Sequence, residues 1–414
     1  MKKCTETNDP LKQVRSRVQP NPWTLALAGA GLVSFGALVQ AEEAAQQVMT
    51  ALSQTTLSGY VDTSAIWKFG SDGGAFIPGR SFDGGTGNLG GNKLDGFNLN
   101  VVKLQLEKPL DEGQWSAGYQ VGLLFGPDAV GYNNSPLEVS DDVSVKDAYV
   151  ALRVPVGNGI DVKMGTYSTV LGYEVFEGPN NPNYSRSYGW ALEATQHTGV
   201  LASYKVSDAV SLSGGVANTH LAGINLRATR GKAVSETQKT YLGAVTITAP
   251  ESFGALAGAS LYGAIVDGFA GNTHDTTSYY VGATVPTPLE GLAVGAAYDY
   301  RDDAPLVVRG KAIANNRAYA IAGYLAYQCT EKLKLNGRFD YTNGDDGTWY
   351  ESARAGTHNE LFAVTGTVDY SLWANVLSRA ELRWDHGLSG ARPFGGTGKD
   401  KNAITLAANI VYKF

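Results

Sequence analysis

Charge is scarce in this 414-residue chain: only 17% of residues are charged, with Lys+Arg 33 against Asp+Glu 39 and a net charge of −6. An acidic balance excludes a nucleic-acid partner, since polyanions are held by lysine and arginine. Cysteine is nearly missing, at two residues, which excludes a disulfide-stapled scaffold and a cysteine-rich metal site. After the first forty residues there is no run of 18 or more apolar residues, so a helical membrane protein is excluded as well. Walker A, HExxH and GxSxG motifs are all lacking, and His197, His220, His274, His358 and His386 are scattered without metal-ligand spacing. No cofactor or bound metal is implied, and soluble-type enzyme chemistry is not expected. A lipase-like triad spread over neighbouring strands is the one catalytic arrangement that order in the chain does not exclude, because triads are defined by geometry.

Glycine is abundant, at 51 residues, and so is tyrosine, at 22; no Gly-X-Y period accompanies them, so a β protein and not collagen is indicated. The N-terminus reads as an address. Lys2, Lys3, Lys12, Arg15 and Arg17 precede TLALAGAGLVSFGALV, and Val39 and Ala41 occupy the −3 and −1 positions of a small-residue cleavage site. Residues 1–41 are therefore expected to be an export signal, with an amphipathic helix of the mature protein as the alternative, and 42–54 a short lead. Five basic and two acidic residues leave with the signal, turning −6 into −9. Cys4 leaves too, so Cys329 is alone and no intramolecular disulfide forms.

The remainder, 55–414, alternates with a period of two. Ile404, Leu406, Ala408, Ile410, Tyr412 and Phe414 are apolar while Thr405, Asn409 and Lys413 interrupt the other face. Leu57, Gly59, Val61, Ala65, Trp67 and Phe69 alternate with Ser58, Asp62, Ser64 and Lys68 in the same way, as do segments at 115–125, 146–154 and 333–341. Each is about one transmembrane β-strand long. Seven tight, turn-rich connections (PLDEGQ, PVGNGI, VSDAVS, APESFGA, PTPLEG, CTEKLK, YSLWAN) alternate with eight longer stretches near 70–96, 127–142, 168–189, 220–238, 269–276, 301–312, 343–358 and 387–399. Fifteen connections join sixteen strands. An even count with both termini on the short-turn side predicts an all-β, antiparallel transmembrane barrel. Closure is required because unpaired backbone groups are not tolerated in hydrocarbon, and sixteen strands enclose a bore too wide for wall side chains to fill. A secreted soluble β-sandwich, solenoid or propeller is the competing reading of alternation alone.

Placing the apolar parity against lipid turns Asp62, Lys68, Arg153, Arg338, Asp340, Arg379, Glu381, Arg383 and Asp385 into pore-lining candidates. The set from Arg338 to Asp385 would then impose a transverse field on polar solutes; structural pairing across the strands is the plainer alternative. The stretch after Tyr167, rich in Asn, Pro and aromatics with Glu174, Glu177 and Arg186, has two open readings: a constriction folded into the bore, or a surface loop wrapped on its own tyrosines. The glycines Gly85, Gly87 and Gly90 form a GxGxxG in a polar loop, without the strand and helix a dinucleotide site needs. Asn343, Asp345, Asp346 and Glu351 offer oxygens to a cation, but their spacing is not that of an EF-hand, and a solvated acidic turn is the simpler reading.

Three stretches, VSVKDAYVALRVPVGNGIDVKMGTYST, GYEVFEGPNNPNYSRSYGW and HTGVLASYKVSDAVSLSGGVAN, resemble the OmpL-like outer-membrane β-barrel porins. The resemblance implies passive passage of ions and small polar solutes through the outer membrane of a Gram-negative bacterium. It brings no catalytic or ligand residue. Expected partners are outer-membrane lipid and lipopolysaccharide, the barrel assembly machinery reading Phe414, the permeating ions and solutes, and a second copy of the chain in an open oligomeric state. A plugged barrel serving as an adhesin or partner-binding surface protein is the alternative function.

Overall fold

The computed structural model describes Val48–Met49 and residues 55–414 except 71–75, 86–91, 112–114, 133–141, 231–232, 235–236, 271–273, 305–306, 309–310, 313–315, 351–357, 389, 391 and 395–399. The expected export signal and most of the lead lie outside the described residues, as do Gly87, Gly90 and Glu351.

Sixteen antiparallel strands form one closed sheet. They are β1 (Thr56–Phe69), β2 (Gly96–Lys108), β3 (Ser116–Phe125), β4 (Val143–Val154), β5 (Ile160–Ser168), β6 (Gln196–Lys205), β7 (Val210–Ala217) and β8 (Thr240–Thr248). Then follow β9 (Ser260–Ala270), β10 (His274–Pro286), β11 (Leu292–Asp303), β12 (Asn316–Gln328), β13 (Leu333–Gly344), β14 (Asn359–Trp373), β15 (Val376–Gly387) and β16 (Asn402–Lys413). Each pairs with the next, and β16 pairs with β1 from Tyr60↔Lys413 to Phe69↔Ile404. The seam is tight: Gly59 and Phe414 exchange backbone hydrogen bonds of 2.9 and 3.0 Å, and a Cβ on Gly59 would collide with the Lys103 carbonyl and lie 2.8 Å from the Phe414 ring.

Parity decides what faces outward. On β16 Ile404, Leu406, Ile410 and Tyr412 are exposed while Thr405, Asn409 and Val411 are buried. On β15 Leu382 and Trp384 are exposed while Arg379, Glu381, Arg383 and Asp385 are buried. An apolar exterior with a polar interior is the inverse of a water-soluble fold and matches a hydrocarbon surrounding. Aromatic rings couple across the outer face, as in Phe339–Phe362 at 4.8 Å and Phe362–Trp384 at 5.7 Å, consistent with the ring belts of membrane barrels.

Connections match the expected alternation with two corrections. Only residues 271–273 separate β9 from β10, and Ala270 pairs with His274, so the fifth of the expected long loops is a hairpin end. The polar residues of 269–276 extend the strands instead. The third loop reaches from 169 to 195, beyond the expected 189, because His197 and its neighbours begin β6.

The densest packing is inside the cylinder. One cluster joins Ile66 of β1 to Ile77 and Leu94 of loop 1 (70–95), Tyr188 and Leu192 of loop 3 (169–195), Trp349 of loop 7 (345–358) and Phe394 of loop 8 (388–401). Another sets Phe82 of loop 1 edge-on to Phe176 of loop 3, ring centres 5.7 Å apart, beside Trp190. A third places Val170 and Leu171 against Leu201, Leu242, Val266 and Tyr324 on the inner wall. Apolar burial thus holds the loops in the bore, where no single wall residue could.

Candidate functional site

Loop 3 shapes itself before it meets the wall. Pro179 opens a single 3-10 turn at Gly178–Asn180. Asn181 then acts like a strand partner, accepting from the Val175 amide at 2.8 Å and donating to its carbonyl at 2.6 Å. Prolines and side-chain amides can hold a turn where no ladder exists.

The inward residues of β13–β15 grip this preformed loop. Arg338 donates to Glu174 at 2.9 Å, to Asp340 at 2.8 Å and to the Ser185 carbonyl at 2.6 Å. Arg379 donates to Asp369 at 3.0 Å and to the carbonyls of Gly178 and Asn181 at 2.6 and 2.7 Å. Arg383 bonds Asp385 and reaches the Arg186 carbonyl at 2.6 Å. Glu381 accepts the Tyr184 and Ser185 amides at 2.6 and 3.0 Å, and Asp385 accepts the Tyr188 hydroxyl and Arg80 of loop 1, each at 2.8 Å. The planar guanidinium fork suits this work, since it can satisfy a carboxylate and backbone carbonyls at once.

The structure brings six of the nine pore-lining candidates together and bonds them to one another and to loop 3. Arg338, Asp340, Arg379, Glu381, Arg383 and Asp385 face inward but lie beneath loop 3; the side chains of Arg338 and Arg383 are 0% exposed. Their charges pair along the wall, as in Arg338–Asp340 and Arg383–Asp385, and with loop 3. Asp62, also buried, accepts from Asn100 at 2.7 Å and Asn409 at 2.6 Å. Lys68 is buried at the loop end of β1, its amide bonded to Asp95. Arg153 stands apart near the short-turn end, 3.8 Å from Asp161 and bonded to the Asn158 carbonyl.

Of the loop candidates, Glu174 accepts Ser187 and Arg338. Arg186 turns back into the loop, donating to the Phe176 carbonyl at 2.6 Å, its charge over the Phe82 and Trp190 rings. Glu177 points the other way, to Lys103 of β2 at 2.5 Å and Lys146 of β4 at 3.1 Å. Burial alone would raise its pKa; the two ammoniums reverse that and hold the carboxyl well below its ordinary value. Glu193, nearer the end of the loop, is pushed well above its ordinary value by burial and by the Asp299 carboxyl beside it. Loop 3 is bonded along its length to inward-facing side chains of β13–β15.

Beside the loop remains a cavity of about 240 Å³ along β2–β6, lined on one side by Lys103, Glu107, Lys146, Tyr149 and Lys163 and on the other by loop 3. Lys146 and Asp147 are adjacent in sequence yet both buried inside. A register shift at Gly122/Leu123 on β3 produces this, as β-bulges do when they re-aim side chains. Period-two reading cannot see such a bulge. Nor did it single out Arg80, whose pairing with Asp83 and Asp385 ties loop 1 to the wall; the Arg-x-x-Asp spacing in a glycine-rich stretch was the only trace. The acidic turn at Asn343 and Asp345 is engaged within the protein, Asn343 donating to Glu360 and Asp345 accepting the Arg317 amide. Among the described residues no three His, Cys, Asp or Glu side chains are grouped to hold a metal.

Comparison with known proteins follows the same line. Among solved structures, the outer-membrane channel DcaP of Acinetobacter baumannii is similar with a TM-score of 0.56 and 12% identity, covering 87% of this chain and 97% of that one. The anion-selective porin of Comamonas acidovorans gives 0.56 and 13%, covering 87% and 99%. OmpT, an outer membrane protein of Vibrio cholerae, gives 0.52 and 13%, covering 89% and 100%. Identities this low establish the fold. No curated protein sequence matches the chain. The family model described as "Putative beta-barrel porin-2, OmpL-like" matches residues 54–414, and the chain belongs to that family of outer-membrane β-barrel porins.

Proposed function

We propose that this barrel is a passive diffusion channel of the Gram-negative outer membrane, through which ions and small polar solutes pass beside loop 3 without coupled energy. The observation that carries the reading is a closed sixteen-stranded wall with a loop anchored inside it and a cavity lined by charged side chains left along β2–β6. Sixteen strands alone would leave a wide aqueous bore; the anchored loop narrows it to small solutes. The chemistry is transport and not catalysis. Residues 1–41 serve as an export signal cut after Ala41, and 42–54 as a lead. The assembly machinery reads the Phe414 end; lipid and lipopolysaccharide cover the outer face, over which copies of the chain can also associate.

Purified barrel in a planar bilayer tests this. Discrete conductance steps, with neutral sugars of increasing size excluded above a sharp limit, are expected. A second reading, a plugged barrel acting at its surface, draws on the clusters that tie loops 1, 3, 7 and 8 together within the bore. A silent bilayer with folded protein would favour it.

A further inference from the structure

The cavity beside loop 3 holds charges that meet an opposite charge in direct contact and two, on Lys163 and Glu107, that sense one another without touching, Lys163 also feeling the Asp147 carboxylate at longer range. Lys103 and Lys146 are matched by Glu177, and Lys146 also by Asp147 at 2.9 Å. The Lys163 ammonium of β5 makes no ion pair or hydrogen bond among the described residues; it lies 4.8 Å from the centre of the Tyr149 ring. The Glu107 carboxylate of β2 accepts the Gln105 side-chain amide at 2.8 Å and has no cation within ion-pair distance among the described residues. Both line the same cavity.

Register places them on one wall. Glu107 pairs with Gln120 of β3, Gln120 with Tyr149 of β4, and Lys163 stands on β5 opposite Ala151, two residues along from Tyr149. Their backbones are three interstrand steps of about 4.8 Å apart. Between them lies a polar floor, since the Tyr149 hydroxyl donates to Gln120 at 2.9 Å. Facing this wall, Leu171, Val175, Phe176 and Trp190 of loop 3 supply apolar surface.

An anion bound at Lys163 would leave Glu107 uncompensated, and a cation bound at Glu107 would leave Lys163 so. A solute carrying both charges satisfies the two together, and its side chain finds the apolar face of the loop. We propose that this cavity is a binding station for a zwitterionic solute of amino-acid size, carboxylate toward Lys163 and ammonium toward Glu107. The proposal rests on the channel reading above and names one solute class for it.

The test uses three solutes of nearly equal shape added to the barrel in a planar bilayer at fixed salt: leucine, leucinamide, which lacks the carboxylate, and 4-methylpentanoate, which lacks the amine. Leucine is expected to reduce the salt current saturably, at a half-blocking concentration at least about tenfold below either analogue, the worth of one charge-assisted contact. Lys163→Gln should erase the preference over leucinamide, and Glu107→Gln the preference over 4-methylpentanoate. Exchanging the charges, Glu107→Lys with Lys163→Glu, should restore the preference for leucine. Equal block by 4-methylpentanoate or by leucinamide, or no block by any of the three while salt current flows, overturns the proposal and leaves the channel reading intact. Absence of salt current in the wild-type protein overturns the channel reading instead. The wild-type comparison of the three solutes decides the matter even where a variant fails to fold.

Discussion

Replacing Arg338 and Arg383 together by glutamine removes the grip of the wall on the centre of loop 3. Arg338 alone makes ion pairs to Glu174 and Asp340 and bonds to the Ser185 and Arg186 carbonyls; Arg383 adds Asp385 and a second bond to Arg186. All of these side chains are buried. Glutamine is too short and too weak a donor to reach both a carboxylate and a loop carbonyl, so Glu174 and Asp340 lose their counter-charge. Removing one partner from a buried ion pair costs about 3–5 kcal/mol. The two arginines share Arg186 and are not additive, so about 4 kcal/mol for the pair is a conservative figure. That shifts the balance between docked and released loop by roughly a thousandfold. Single-channel recording reads the result directly: a larger main conductance, more open-channel noise and passage of sugars that the wild type excludes. Retention of the folded, heat-modifiable band on gels separates a released loop from a collapsed barrel. A folded double variant with wild-type conductance, noise and size limit would refute the assignment of these arginines as loop anchors.

Glu177→Gln should remove the carboxylate that Lys103 and Lys146 share, leave Lys146 with Asp147, and move the zero-current potential in a salt gradient toward anions; an unmoved potential would show that Lys103 does not meet the permeating ions. Asp128 of loop 2 (126–142) is pushed up to about 6 by burial, which outweighs the ammonium of Lys93 beside it. Its pKa when the contact opens is the ordinary one, so the docked state binds the extra proton below about pH 6, and the contact of loops 1 and 2 grows firmer as pH falls from 7 to 5. Intrinsic-rate-corrected hydrogen exchange at residues 76–85 should slow over that window, and Asp128→Asn should flatten the change. Cys329, in the tight connection between β12 and β13, should resist a membrane-impermeant thiol reagent on intact cells and react once the outer membrane is permeabilised; labelling of intact cells would invert the assigned topology.

The barrel could be read from the chain because each strand advertises two faces. Leu382 and Trp384 alternate with Arg383 and Asp385, and turn residues mark nearly every reversal. Strand number follows from counting. The work of the inward charges could not be read the same way. Period two says that Arg338 and Arg383 leave the lipid side; it does not say whether water or another part of the chain meets them, and here residues some 150 to 200 positions earlier do. The bulge that brings both Lys146 and Asp147 inside breaks the very pattern being counted. Loop 3 announced itself by its asparagines, prolines and tyrosines, but its direction depends on bonds from Glu381 and Arg379 that only the closed barrel creates.

A water-filled passage beside an anchored loop, inside a lipid-embedded cylinder, has a direct signature in conductance. Single-channel recording of the purified protein, with nonelectrolytes of graded size added to both sides, tests it most directly. Discrete steps are expected, with a conductance that falls when small nonelectrolytes enter and recovers once they exceed the gap left by loop 3. Correctly folded protein that inserts into the bilayer and carries no current at any solute size would contradict it.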